Sequence, residues 1–252
     1  MNSGEPEQSS PIQLPLAQIS TAWSVVLKAK DGAGVPSEVV SVFFARYQGA
    51  VLRFFRTAIT KTDIADDMAQ DFALRFMRGD FRNVHPDRGR FRDFLRIALA
   101  NQLRDYYRRQ QLRGRTNEML DEIADNAGDK VPNQNFDENW REELLAQTWT
   151  DLEHHQQSTG QLYFVALKLK ATSAADSGPC LVDEFSRMTD TQLSEEAFRK
   201  HLQRARRRFG ELLLSNVAAT LAIPTREEVE RELADLKLLS FCGGLLQNPP
   251  QT

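Results

Sequence analysis

The chain has 252 residues, of which 41% are hydrophobic and 9% aromatic, and it carries 32 Lys and Arg against 35 Asp and Glu. This composition predicts roughly two packed domains and excludes a wholly disordered or fibrous chain. No hydrophobic run approaches the ~20 residues that cross a bilayer, the polar N-terminal segment is unlike a signal peptide, and two cysteines are too few for a disulfide framework. We therefore expect a cytoplasmic protein without membrane contacts.

The charges are distributed unevenly along the chain. Residues 81–115 contain ten Arg against three Asp, and residues 195–208 contain six bases against two acids. Between them, residues 118–153 contain eleven acids against two bases. Two basic segments separated by an acidic one indicate two contacts with a polyanion such as nucleic acid, whereas a solvated charged surface would explain either segment alone.

The first half of the chain is predicted to contain a disordered tail over residues 1–20 and then three helices. Ser37 is a candidate N-cap for the first helix, and a loop over residues 80–89 is predicted to separate the second helix from the third. An acidic linker with Gly128 and Pro132 follows the third helix. These helices span about residues 37–57, 63–78 and 91–111, and the linker spans 113–139.

The second half of the chain is also predicted to be helical. A break rich in small residues at 173–179 precedes a short helix, a turn and a longer helix. No segment alternates as a strand would, so we predict an all-α fold. The helices span about residues 140–155, 161–170, 181–188, 194–214 and 226–239.

The second predicted helix has one hydrophobic face and one acidic face. The hydrophobic face contains Ala65, Met68, Ala69, Phe72, Ala73 and Phe76. The opposite face contains Asp63, Asp66, Asp67, Gln70 and Leu74. A leucine among acids indicates a docking surface for a partner with basic residues and an apolar socket. The alternatives are a solvated face with one stray leucine, or a carboxylate metal site, which would lack a second acidic helix facing it.

The third predicted helix has a basic face. Its buried side is predicted to be Phe91, Phe94, Leu95, Ala98 and Leu99. The opposite side contains Arg92, Arg96, Leu103, Arg104, Tyr107 and Arg108. Because arginines bind phosphates and an aromatic ring stacks on an unpaired base, this side is predicted to capture a nucleic-acid strand. A solvent-facing arginine stripe is the alternative.

Residues 194–209 are predicted to form a basic amphipathic helix with Ser194 as its N-cap. The inner stripe is Phe198, Leu202, Ala205 and Phe209, and the outward residues are Glu196, Arg199, Lys200, Gln203 and Arg207. A short helix, a turn and such a helix are typical of a helix-turn-helix, although basic amphipathic helices also occur in other proteins. No zinc spacing, phosphate-binding loop or catalytic pair is present, so the motifs give no reason to expect a metal or a cofactor.

Three segments resemble a known family. Residues 65–72 (ADDMAQDF) are similar to the core-binding signature in region 2 of bacterial sigma-70 factors. Residues 87–95 (DRGRFRDFL) resemble the loop and helix start that precede −10 recognition. Residues 193–199 (LSEEAFR) and 206–209 (RRRF) resemble the region 4 recognition helix. The order of these motifs resembles extracytoplasmic-function (ECF) sigma factors, which keep only regions 2 and 4. Residues 21–27 and 86–91 are similar to a subgroup abundant in planctomycete genomes.

The resemblance implies a transcription initiation factor that is not an enzyme. Such a factor binds core RNA polymerase and directs it to promoter DNA by melting the −10 element and recognising the −35 element. The implied domains are region 2 at residues 21–112, a region 4 helix-turn-helix at 140–215 and a C-terminal helical extension at 216–252, with the acidic linker between the first two. The resemblance also allows an anti-sigma factor as a further partner.

The resemblance also assigns residues to these partners. The implied polymerase-binding residues are Asp63, Asp66, Asp67, Gln70, Asp71 and Leu74. The implied DNA-binding residues are Arg88, Arg90, Arg92, Arg96, Arg104, Tyr107 and Arg108 at −10, and Glu196, Arg199, Lys200, Gln203, Arg206 and Arg207 at −35. A stand-alone helix-turn-helix regulator is the alternative interpretation. A helical enzyme that binds metal through Asp66, Asp67 and Asp71 is a third.

Overall fold

A computed structural model describes residues 47–78, 80, 90–112, 133–173, 178–242 and 244–246. This part of the chain contains eight α-helices and no strand, which confirms the all-α prediction for it. None of these helices has the length and apolar character required to cross a membrane. The helices are α1 (Gln48–Ala58), α2 (Thr62–Met77), α3 (Phe91–Leu112), α4 (Asn133–Thr159), α5 (Tyr163–Thr172), α6 (Gly178–Thr189), α7 (Glu195–Ala218) and α8 (Arg226–Asp235), followed by a 3₁₀ turn at Leu239–Cys242.

Helix α4 begins earlier than the sequence predicts. Residues 133–139, expected to end the acidic linker, instead form its first turns. Phe136 and Trp140 lie one helical turn apart on α4, and both are buried. Their burial against α1 and α3 stabilises this segment as helix despite its acidic composition. The predicted tail, Ser37, the loop at 81–89 and linker residues 113–132 lie outside the described residues.

One hydrophobic core joins the two ends of the described chain. The ring of Tyr47, just before α1, stacks on Trp140 with centroids 5.0 Å apart, and Phe54 contacts Phe136 edge to face. The same core includes Leu213 on α7 and Leu233 on α8. Helices from both predicted domains therefore pack into a single core within the described part of the chain.

Polar contacts also attach α1 and α7 to α4. Arg53 on α1 donates a hydrogen bond to Glu143 on α4, and Asn216 on α7 donates one to Asp151 at 2.8 Å. The two helices α1 and α4 approach so closely at Gly49 that a Cβ there would lie 2.2 Å from the Glu143 carboxylate. A side chain at position 49 would therefore displace this carboxylate from its arginine partner.

Helices α5, α6 and the first half of α7 have a smaller core of their own. Phe185 on α6 contacts Phe198 on α7 with ring centroids 5.1 Å apart, beside Ala166 and Leu169 of α5. The turn between α6 and α7 contains Asp190 with φ 51°, a left-handed conformation that aspartate tolerates better than most residues. This arrangement has the helix, turn and helix that the sequence predicts.

The start of α7 is fixed by its cap. The Ser194 hydroxyl accepts a hydrogen bond from the backbone N–H of Ala197 at 3.2 Å, which confirms the predicted N-cap. Glu195 and Glu196 occupy the first turn, where negative charge interacts favourably with the helix dipole. Ser194 and the two glutamates therefore determine where α7, the second helix of the helix-turn-helix, begins.

Candidate polymerase and nucleic-acid interfaces

The acidic face of α2 is exposed as predicted. Phe72 and Phe76 are buried on the opposite side of the helix, whereas Leu74 remains 46% exposed. We call the exposed residues the α2 surface; they are Asp63, Asp67, Gln70 and Leu74. A leucine on an acidic helix surface leaves apolar area in water that a partner could cover.

Two further acids assigned to this face have partners within the protein. Both oxygens of Asp66 accept hydrogen bonds from Arg56 on α1, at 2.8 and 3.0 Å. This hydrogen bonding lowers the pKa of Asp66. Asp71 accepts a hydrogen bond from Gln102 on α3 at 3.1 Å. These two acids therefore attach α2 to its neighbours as well as adding charge to its surface.

Helix α3 does not expose Arg92, so the prediction that this residue lies on the exposed basic face is wrong. Arg92 is 5% exposed, and its guanidinium lies 2.7 Å from an Asp137 oxygen of α4 and 3.1 Å from a Glu232 oxygen of α8. Arg90, just before α3, pairs with Glu232 and Asp235 of α8. We call these five residues the arginine cluster. Arg92 was predicted to face water. It instead contacts two carboxylates, Asp137 from the predicted linker and Glu232 from the predicted C-terminal extension.

Leu103 and Tyr107 were also predicted to lie on the exposed basic side of α3, and both are less exposed than predicted. Leu103 is buried, and Tyr107 is half-buried, with its hydroxyl donating a hydrogen bond to the Ala58 carbonyl at 2.9 Å. Burial, together with the neighbouring Tyr106, raises the pKa of Tyr107. Because α3 packs against the end of α1, its buried side is wider than one helical stripe. The Tyr107 ring is thus not fully available for stacking on a base.

A narrower basic surface remains on α3. Ile97 is 58% exposed, and its spacing from Arg104 and Arg108 places it among basic residues although it was not predicted as part of that surface. Arg104 and Arg108 are exposed and share its side of the helix, and Arg104 donates a hydrogen bond to Asn101. Arg96 is partly buried beside Asp93, and Arg88 lies outside the described residues. The structure thus separates the predicted −10 residues into an exposed group and a buried one.

Helix α7 has the two faces that the sequence predicts. Its inner stripe of Phe198, Leu202, Ala205 and Phe209 is buried. Lys200 pairs with Glu196 at 2.8 Å on the surface, an interaction weak enough in water to exchange for another partner. Arg207 and Arg208 both contact Glu211. The six residues predicted to contact DNA are all exposed, and we call them the α7 surface: Glu196, Arg199, Lys200, Gln203, Arg206 and Arg207.

The described part of the chain has a small cavity and no candidate metal site. No group of three or more His, Cys, Asp or Glu in the described ranges is placed to hold a metal ion. A cavity between α1, α4 and α7, beside Tyr47 and Trp140, measures about 10 Å³, enough for about one water molecule. Comparisons of the chain with protein-family models, curated proteins and solved structures give no match.

Proposed function

We propose that the chain is a transcription initiation factor similar to ECF sigma factors. In this proposal the α2 surface binds core RNA polymerase, and α3 and α7 bind promoter DNA. The observation that carries the proposal is the exposed Leu74, which lies among acids on the face of α2 opposite the core. This acidic surface with its exposed leucine suits a protein partner, and it is separate from the basic surfaces of α3 and α7.

The energy available at Leu74 suits a reversible partner contact. Full burial of a leucine side chain contributes about 1.5–3 kcal/mol, and 46% of this residue is still exposed. Covering Leu74 would therefore contribute roughly 1 kcal/mol to docking. Asp63 and Asp67 are exposed beside it and would attract a basic partner. The α2 surface thus fits a basic protein partner better than it fits DNA.

The α7 surface fits a DNA groove. Arg199, Lys200 and Gln203 lie in the first turns, where a recognition helix contacts base edges. Arginine and lysine pair with guanine, and glutamine pairs with adenine. Arg206 and Arg207 lie further along the helix and would contact phosphates, as would Arg104 and Arg108 on α3. The −35 element would therefore be recognised by α7.

A second candidate function is a stand-alone helix-turn-helix regulator. The observation that favours it is the separate core of α5, α6 and the first half of α7, which resembles a self-contained DNA-binding unit. Such a regulator would bind duplex DNA tightly without polymerase. Polymerase dependence therefore distinguishes the two functions.

The test measures binding of the purified full chain to bacterial core RNA polymerase by fluorescence anisotropy. Leu74→Ala should weaken binding about fivefold, which corresponds to roughly 1 kcal/mol. Leu239→Ala is the matched control, because Leu239 is 44% exposed in the 3₁₀ turn, which packs on α7 and α8. Both variants should keep the thermal stability of the parent to within about 0.5 kcal/mol, as exposed substitutions usually do.

A run-off transcription assay on a promoter library supplies the second measurement. The proposed function predicts transcripts that require both the chain and the core enzyme. Absence of measurable core binding, or equal binding by Leu74→Ala and Leu239→Ala, would contradict the proposed docking. Tight duplex binding without polymerase would favour the stand-alone regulator.

A further inference from the structure

The arginine cluster connects the start of α3 to the C-terminal helix α8. The Glu232 side chain is fully buried and accepts hydrogen bonds from Arg90 and Arg92. Asp235 pairs with Arg90 at the edge of the cluster, where its side chain is 49% exposed. We infer that α8 is an internal competitor of nucleic acid, whose carboxylates occupy Arg90 and Arg92 until DNA phosphates displace them. This inference rests on the proposed function in taking α3 as a DNA-binding helix.

The cluster is poorly suited to a purely stabilising role. Burying charges costs several kcal/mol per ion, and hydrophobic residues of the same volume often give equal or greater stability. Among the described residues, three atoms in the cluster, Arg92 Nε, Glu232 Oε1 and Asp137 Oδ1, have no partner with hydrogen-bond geometry although opposite charges lie nearby. Burial also raises the pKa of Glu232 despite both arginines. The pairs are therefore close and specific but incompletely hydrogen-bonded.

The chemistry of both partners allows an exchange. A guanidinium binds carboxylate and phosphate through the same forked set of N–H donors. Helix α8 contains five acids against two bases, so its charge is of the same sign as a nucleic-acid backbone. Arg96 lies one turn after Arg92 and is partly exposed, so a strand on α3 would come close to the cluster. The exposed Asp235 is where a phosphate would first replace a carboxylate.

The test compares two variants of α8 that each lose one carboxylate. Asp235→Asn breaks the pair with Arg90, whereas Glu230→Gln breaks a pair with Arg226 inside α8. The two carboxylates are well matched, because the Glu230 side chain is 42% exposed and the Asp235 side chain is 49% exposed. The probe is a fluorescein-labelled single-stranded oligo(dT) of about 20 nucleotides, and binding to the full chain is measured by anisotropy at low salt. Asp235→Asn should tighten binding about fivefold, and Glu230→Gln less than twofold.

Hydrogen–deuterium exchange on the unmodified chain gives an independent measurement. Saturating oligo(dT) should speed exchange of amides in α8, residues 226–235, and leave the second half of α7 protected. Equal affinities of the two variants, or unchanged protection of α8 when DNA is bound, would overturn the inference. Because the exchange measurement needs no substitution, it decides the matter even if Asp235→Asn lowers stability.

Polymerase binding separates this inference from the proposed function. If core polymerase does not bind but Asp235→Asn still tightens DNA binding and DNA releases α8, the proposed function fails and the competitor role of α8 stands. If core polymerase binds through Leu74 but the two α8 variants behave alike, the competitor role fails alone. The two failures are therefore distinguishable.

Discussion

Replacement of Trp140 by alanine tests whether α4 carries the shared core. The indole is fully buried and stacks on Tyr47 at 5.0 Å, with Phe136 and Phe91 at 6.1 and 6.3 Å. Truncation of a buried tryptophan to alanine costs about 3–5 kcal/mol. The indole N–H donates to no protein atom among the described residues, so no protein hydrogen bond is lost with it and we expect the lower end of this range, about 3 kcal/mol.

This cost should appear as one cooperative change. For a chain of this size each kcal/mol lowers Tm by about 2–4 °C, so Trp140→Ala should lower it by about 6–12 °C. Thermal and urea denaturation would be followed by far-UV circular dichroism. Trp140→Phe is the control, since it keeps an aromatic ring and removes the unpaired N–H, and it should cost clearly less than the alanine variant. A loss below about 1 kcal/mol, or a transition that splits with one half melting at the parental temperature, would refute a core shared through α4.

Three further predictions concern single groups. Tyr107→Phe removes the hydroxyl that bonds to the end of α1 and should cost about 1 kcal/mol in thermal denaturation; an unchanged Tm would mean that the bond adds nothing over water. Ser194→Ala removes the N-cap of α7 and should also cost about 1 kcal/mol, with Ser194→Asp retaining stability; equal melting of the two variants would contradict the cap. Burial raises the pKa of the Cys242 thiol to about 12, whereas Cys180 is exposed, so a thiol reagent at pH 8 should modify one cysteine rapidly and the second only after unfolding; two fast reactions would contradict this.

The buried stripes of α2 and of the first half of α7 could be predicted from the sequence. On α2 and α7 the hydrophobic residues recur with the helical period, and Phe72, Phe198 and Phe209 are all buried as that period requires. The exposed Leu74 follows from the same geometry. Periodicity determines burial where the buried residues form a single stripe along the helix.

Helix α3 does not meet this condition. It contacts α1 and α2 with Tyr107 and Gln102, and it meets α4 and α8 through Arg92. Without further information, a basic residue on a helical wheel is predicted to face solvent. The residue that pairs with Arg92, Glu232, lies 140 residues later in the chain. No local pattern contains such a pairing, so the burial of Arg92 could not be predicted. The early start of α4 was not predicted, because the acidic composition of residues 118–153 indicated a linker. The helical spacing of Phe136 and Trp140 was the signal that favoured a helix.

The separation between Arg92 and Glu232 also bears on how the chain is made. Ribosomes add about 5–20 residues per second, so Glu232 follows Arg92 by roughly 7–28 s of synthesis. During that interval the N-terminal helices can pack locally, but the buried carboxylate that neutralises both arginines does not yet exist. Asp137 of α4 emerges earlier and can pair with Arg92, but the carboxylates that pair with Arg90 are present only once α8 has been made, so the nascent chain presents a basic helix end to RNA until then. Truncated products that stop before α8 should for the same reason retain RNA more strongly than the complete chain.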